Sequence, residues 1–119
     1  MTRDWELVRE ILVKLEEKSD TKKGLRPEEI QSHDREVVSY HIKLLLQARL
    51  VEGECSKALS APLYCFAYNL TWEGHEFLDK IRNDTVWNKV KTTLKNKGIE
   101  FSFDSIKILA SEYIRSMIS

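Results

Sequence analysis

The stretch Leu70-Thr71-Trp72-Glu73-Gly74-His75-Glu76-Phe77-Leu78 constrains this chain more than any other. It follows Leu63 to Leu70, an aromatic run with Tyr64, Phe66 and Tyr68 at every second position, which is the period of a strand. At Thr71 the pattern switches to helical spacing, with Trp72, Phe77, Leu78 and Ile81 as apolar positions up to about Arg82. Thr71 is a residue type that caps a helix start. Gly74, three residues on, has no side chain, so the new helix can come close to the strand it leaves. A strand that turns directly into a close-packed helix fixes the local topology.

The segments before this corner complete an order of elements. Residues 4–18 read as a helix, with Trp5, Val8, Ile11, Leu12 and Leu15 at three- and four-residue steps. Ser19 to Gly24 is a polar loop with a glycine stop. Leu25 to Gln31 suits one or two helical turns, because Pro27 fits a first helical position and Glu28-Glu29 a first turn; a strand is the alternative. Residues 34–48 give the clearest helix, capped by Ser32 or Asp34. Its broad apolar face is Val37, Val38, Tyr40, His41, Leu44, Leu45 and Ala48. Leu50 to Cys55 alternates as a strand does, and with 63–70 makes a β-hairpin around the turn-rich Ser56–Pro62 connection. Two further helices follow, one from Asp84 or Thr85 to about Lys97 and a last one opened by Ser102 or Asp104.

Three helices followed by a two-stranded hairpin is the plan of a winged helix-turn-helix. The expected fold is therefore α+β and mostly helical, a winged helix with a hairpin wing and additional C-terminal helices. Residues 1–83 form the winged-helix core, and 84–119 a helical extension packed on it or forming a dimer seam, within a single domain. The exit Gln47-Ala48-Arg49-Leu50-Val51 has the form of a passage from recognition helix to wing, with Arg49 where a glycine is usual. A left-handed cap costs arginine more than glycine.

Several segments resemble an uncharacterised family of small bacterial and phage-borne proteins of unknown function. They are Arg3-Asp4-x-x-Leu7-Val8-Arg9, Val38-x-Tyr40-His41-x-x-Leu44-Leu45, the Leu70–Asp79 run, and Ile81 to Val90. The resemblance covers nearly the whole chain. It implies a winged-helix-like fold and a prophage context. It carries no established activity and transfers no catalytic residues.

The main functional expectation is a DNA-binding transcriptional regulator; the alternative is a protein-interaction module that keeps the scaffold without binding DNA. The expected DNA contacts are Arg35, Ser39, Lys43 and Gln47 on the exposed side of helix 34–48, with Arg49 and Lys57 near the wing. Arginine forks onto guanine and glutamine onto adenine. An accessory basic patch is expected at Lys89, Lys91, Lys95 and Lys97, in a stretch without an acid from Thr85 to Ile99. Charge argues the other way. Lysine plus arginine total 19, aspartate plus glutamate total 19, and the net charge is zero, whereas phosphate binding favours a basic excess. Asp34 and Glu36 stand at the start of the helix that would read bases, and Glu52 and Glu54 on the wing strand.

Other chemistry finds less support. Cys55, Cys65, His33, His41 and His75 form no CxxC or HxxxH pair, so no metal or cofactor is expected. The two cysteines read as small apolar residues on the hairpin, and a disulfide is not expected in a reducing cytosol. His41 reads as a packed histidine bonded within the fold. No nucleophile stands beside a base and no phosphate-binding glycine loop occurs, so no enzyme is expected. The chain opens without a signal peptide and holds no membrane-length apolar run, which leads to the expectation of a cytoplasmic protein that does not enter a membrane. The last helix, with Ile106, Ala110, Tyr113 and Met117 on one side, either docks on its own domain or forms a homodimer seam.

Overall fold

The computed structural model describes residues 1–18, 23–56 and 60–118. The architecture is α+β and mostly helical. Its elements are α1 (Trp5–Glu16), a 3-10 turn (Pro27–Glu29), α2 (Arg35–Gln47), β1 (Val51–Cys55), β2 (Cys65–Leu70), α3 (Trp72–Ile81), α4 (Asp84–Lys97) and α5 (Phe103–Ile118). The chain divides into two compact units, Met1–His75 and Glu76–Ser119.

In the first unit α1 starts on Asp4, whose carboxylate accepts the Glu6 and Leu7 amides at 3.0 and 3.2 Å. Its inward stripe is Leu7, Val8, Ile11, Leu12 and Leu15. The segment 25–31 holds a single 3-10 turn and no strand, only an isolated bridge. Leu25 exchanges both backbone hydrogen bonds with Ala67 in an isolated antiparallel bridge, and the 3-10 turn follows at Pro27. Gly24 precedes that bridge with a φ of +61°, and a Cβ there would stand 2.2 Å from the Ala67 carbonyl oxygen, so only glycine fits.

β1 and β2 are antiparallel, with Glu54 opposite Phe66, Cys55 opposite Cys65, and a bulge between Glu52 and Gly53. The Ser56 amide donates to the Tyr64 carbonyl at 2.7 Å. Hydrogen-bonded and non-hydrogen-bonded pairs alternate along an antiparallel ladder, so Cys55 and Cys65 occupy the non-bonded, closer kind of site. Their Cα atoms are 4.0 Å apart and their sulfurs are joined in a disulfide. This corrects the reading of two unlinked thiols: strand register, invisible in the spacing of the two cysteines, places them face to face.

The turn from α2 into β1 takes the left-handed cap in spite of the arginine. Arg49 has a φ of +62°; its amide reaches the Leu46 carbonyl and the Leu50 amide the Leu45 carbonyl, which makes a Schellman motif. The corner after β2 closes on the same place. The Thr71 hydroxyl donates to the Arg49 carbonyl at 2.8 Å and accepts the Gly74 amide at 3.0 Å. A Cβ on Gly74 would lie 1.9 Å from the Leu50 carbonyl oxygen, so α3 begins closer to β1 than an alanine permits.

The buried face of α2 is Val38, Ser39, His41, Ile42 and Leu45. Val37, Tyr40 and Leu44 are only half-buried and Ala48 is exposed, so the inward stripe is rotated from the expected one. The reason is that the helix packs on α1 along one flank and on the hairpin along the other. Trp72 is corrected too: expected among the apolar positions of its helix, it is 75% exposed.

In the second unit Asn83 caps α4, accepting the Val86 amide at 3.1 Å, and Gly98 closes it in the left-handed region. Val86, Trp87, Val90 and Leu94 of α4 are buried, as are Ile106 and Ala110 of α5. Phe77 meets Phe103 edge-on at 5.3 Å, and Tyr113 hydrogen-bonds Thr93. Ile106 and Ala110 have no exposed surface, which removes them from the expected dimer seam; docking within their own unit consumes them. Met117, beyond the end of that packing, is 61% exposed.

Candidate nucleic-acid interface

The outward surface of α2 is set by what its inward surface needs. His41 is nearly fully buried and acts as a brace. The Asp4 amide donates to its Nε2 at 2.8 Å, and its Nδ1 lies 2.8 Å from the Val37 carbonyl. Since Nε2 accepts, Nδ1 carries the proton and donates. The ring thus fixes the start of α1 against α2. Ser39 is the second brace: fully buried, its Oγ accepts the Cys65 amide at 3.0 Å. That amide is turned away from β1 by the non-bonded register of the cystine pair and needs a partner. Ser39 was expected among the outward DNA contacts; it faces the hairpin instead.

The remaining expected contacts on α2 do face outward. Arg35, Lys43 and Gln47 are exposed, and so is Arg49 just past the helix end. Lys43 and Gln47 lie one turn apart, with Tyr40 half-exposed beside them. Glu36 shares that surface and is also exposed. Lys57 lies outside the described residues.

Beside this surface is a polar cluster that sequence reading missed. His33 Nε2 is 2.9 Å from Asp4 Oδ2, and His33 Nδ1 is 2.8 Å from Ser32 Oγ, which also bonds Glu10 at 2.8 Å. It ties the start of α1 to the turn before α2. Burial pulls the Asp4 carboxyl up, but hydrogen bonds from His33, Leu7 and Glu6 hold it below the ordinary aspartate value. Ser32 and His33 are adjacent in sequence, yet Asp4 is 29 residues from His33, so no local motif signals the cluster.

In the second unit Lys89, Lys95 and Lys97 are exposed and Lys91 is half-exposed. Lys91 lies over the Trp87 ring at 5.3 Å and Lys89 over the Tyr113 ring at 5.9 Å. The charge of the chain is unevenly shared. Met1–His75 holds eleven lysines and arginines against thirteen aspartates and glutamates; from Glu76 on the numbers are eight against six. The four lysines of α4 thus lie in the unit with the basic excess. Among the described residues no group of three or more His, Cys, Asp or Glu is placed to hold a metal ion, and no described helix is long and apolar enough to cross a membrane.

An uncharacterised protein of Haemophilus influenzae is 47% identical to this chain over 119 residues, covering all of both proteins. No solved structure matches it. Residues 2–100 match the family described as Hypothetical protein (DUF2513), which takes in every element up to α4. Neither description carries an activity, and both agree with the uncharacterised family that the sequence resembles. The chain belongs to the DUF2513 family of hypothetical proteins.

Proposed function

We propose that this protein is a winged-helix DNA-binding regulator in which α2 reads the major groove. The observation that carries the reading is the outward face of α2. Lys43 and Gln47 stand one turn apart on it, free of the packing that holds the opposite side to α1 and the hairpin. Lysine contacts guanine O6 and N7, and glutamine forks onto adenine N6 and N7. Arg35 and Arg49, at either end of the helix, suit phosphates. The Leu25–Ala67 bridge supports the scaffold, since it ties the chain between the first helix and the turn before α2 to the edge of β2. Lys89, Lys91, Lys95 and Lys97 on α4 are a separate accessory surface of the second unit that also suits phosphates. Glu36 narrows the choice of sequence, because a carboxylate accepts from cytosine N4 and repels other edges.

The test is selection from random duplex DNA followed by binding at increasing salt. Binding is expected to fall steeply with salt. Lys43→Ala and Gln47→Ala should each weaken the selected site roughly tenfold or more, a good base contact being worth about 1–3 kcal/mol. Lys95→Ala should weaken all duplexes alike. If no duplex is retained at roughly 50 mM salt, where phosphate contacts are strong, the reading fails.

A second reading, a protein-interaction module on the same scaffold, is favoured by Trp72. It stands three-quarters exposed beside the Arg49 corner, and tryptophan and arginine dominate protein–protein contacts. Under that reading Trp72→Ala abolishes capture of a partner while Lys43→Ala does not.

A further inference from the structure

The outer face and free edge of the hairpin are not used by either reading. α1 and α2 pack against its inner face, where Val51, Cys65, Ala67 and Leu70 are buried. The outer face has an acidic row and an aromatic row. Glu52 and Glu54 of β1 are both exposed, and Glu54 stands opposite Phe66 in the register. Tyr64, Phe66 and Tyr68 follow on the other strand, each half-exposed, with Phe66 and Tyr68 edge-to-face at 5.3 Å.

This face already holds one guanidinium. Arg26 lies 4.8 Å over the Phe66 ring, and Tyr64 donates to both Glu28 oxygens at 2.7 and 2.9 Å. Glu28 is held below its ordinary value chiefly by that Tyr64 hydrogen bond, with Arg35 and Arg26 nearby. Among the described residues the β1 side of the face has no such cation. Glu52 accepts from Asn69 Nδ2 at 2.8 Å, and burial first and the nearby Glu54 carboxylate next hold the Tyr68 hydroxyl above its ordinary value; among the described residues no basic side chain pairs with either glutamate.

The edge beside those carboxylates is also unfilled. Cys55 and Gly53 sit at non-bonded positions of the ladder, as the Ser56–Tyr64 bond and the outward turn of Ala67 to Leu25 establish. Their own N–H and C=O groups therefore point away from β2. Strand β1 pairs with β2 alone among the described residues. A second copy of the same edge would bring Glu52 and Glu54 against like charges, which disfavours self-pairing. A strand with lysine or arginine at every second residue meets the opposite condition. Its charges would fall beside Glu52 and Glu54 on the outer face, and their alkyl stems would lie toward Tyr68 and Phe66.

We propose that the β1 edge binds an extended protein segment with alternating basic residues, added as a further strand of the hairpin sheet. The chemistry is main-chain pairing with Gly53 and Cys55, and specificity comes from Glu52 and Glu54. The site is independent of the DNA reading, because no residue of the outward face of α2 takes part.

Fluorescence anisotropy of the full chain with a labelled peptide of about eight alternating lysines and valines tests it. An isomer with the same lysines in one block and an alternating glutamate–valine peptide serve as controls. The alternating basic peptide should bind at least tenfold tighter than the block isomer, and the glutamate peptide should not bind. The double variant Glu52→Gln, Glu54→Gln should lose at least tenfold, with an unchanged melting temperature. On the unaltered protein, N-methylating the two peptide amides that face Gly53 and Cys55 should abolish binding, whereas methylating their neighbours should not. Equal binding of the two lysine isomers, indifference to the glutamine variants, or equal effects of the two methylation patterns would each overturn the proposal. The methylation arm decides even if the double variant does not fold.

Discussion

The Ser39 hydroxyl of α2 accepts the Cys65 amide of β2 at 3.0 Å, across 26 residues of sequence and with neither side chain exposed. The bond joins α2 to the strand that carries half of the cystine. Replacing Ser39 with alanine leaves a buried N–H without a partner. That should cost about 1–3 kcal/mol, read as a lower urea midpoint at an unchanged slope. An unchanged midpoint would mean that the amide finds another acceptor.

The cystine should stabilise the hairpin on its own account. Cys55 and Cys65 are 10 residues apart, and closing a loop of that size in the unfolded chain is worth about 3 kcal/mol in the chain-entropy account. The oxidised protein should melt at a distinctly higher temperature than the same protein in dithiothreitol. If thiol titration of the unreduced protein finds two free cysteines and the two melting curves coincide, the linkage is absent.

Two tryptophans should behave oppositely. Trp87 is 2% exposed, and Trp87→Ala should cost about 3–5 kcal/mol. Trp72 is 75% exposed, and Trp72→Ala should stay within about 0.5 kcal/mol of the parent. Iodide quenching gives a second readout: Trp72→Phe should remove most of the quenchable fluorescence. Comparable destabilisation by the two alanine variants would contradict this assignment of burial.

Acid should loosen the start of α1. Asp4 is held below its ordinary value, so the folded state binds its proton less readily than the unfolded chain does. Its contribution is present in full above the unfolded value, about pH 4, and is lost as pH falls through the lower folded value. Glu29 behaves alike: burial raises it, but hydrogen bonds from Lys18 and the Arg26 amide prevail and hold it low. Melting temperatures recorded from pH 7 to pH 2.5 should drop below about pH 4, and the drop should be shallower in Asp4→Asn, which retains a capping side chain without a titrating group. An equally steep drop in that variant would assign the acid loss to other carboxyls.

Much of the backbone plan was legible because each cue is local. Periodicity placed α1, α2, α4 and α5 within a residue or two of their observed bounds, and Thr71 with Gly74 marked the corner that the structure shows at Arg49 and Leu50. The left-handed Arg49 was not legible: the exit from α2 lacks the usual glycine, and only the backbone hydrogen bonds to Leu45 and Leu46 show that arginine takes that conformation. Side-chain fates were less accessible. Ser39 reads as a surface residue because serine is usually exposed, yet an amide turned outward by strand register requires it inside. Trp72 reads as core by its size, but at the first position of α3 it projects away from the packed face. The Asp4–His33–Ser32–Glu10 cluster joins residues with no shared local spacing.

By itself, then, the sequence determined the order of the helices and hairpin, the Thr71 cap of α3 and the Gly98 stop of α4, because periodicity and turn chemistry act over a few residues at a time, and it carried the resemblance to an uncharacterised family. Only the tertiary structure decided that Cys55 faces Cys65, that Ser39 and His41 brace α2 from within, and that Lys43 and Gln47 are left outside. Those outcomes depend on the register of two strands and the rotation of one helix. Both are settled by how whole faces pack together, and no single stretch of sequence contains that information.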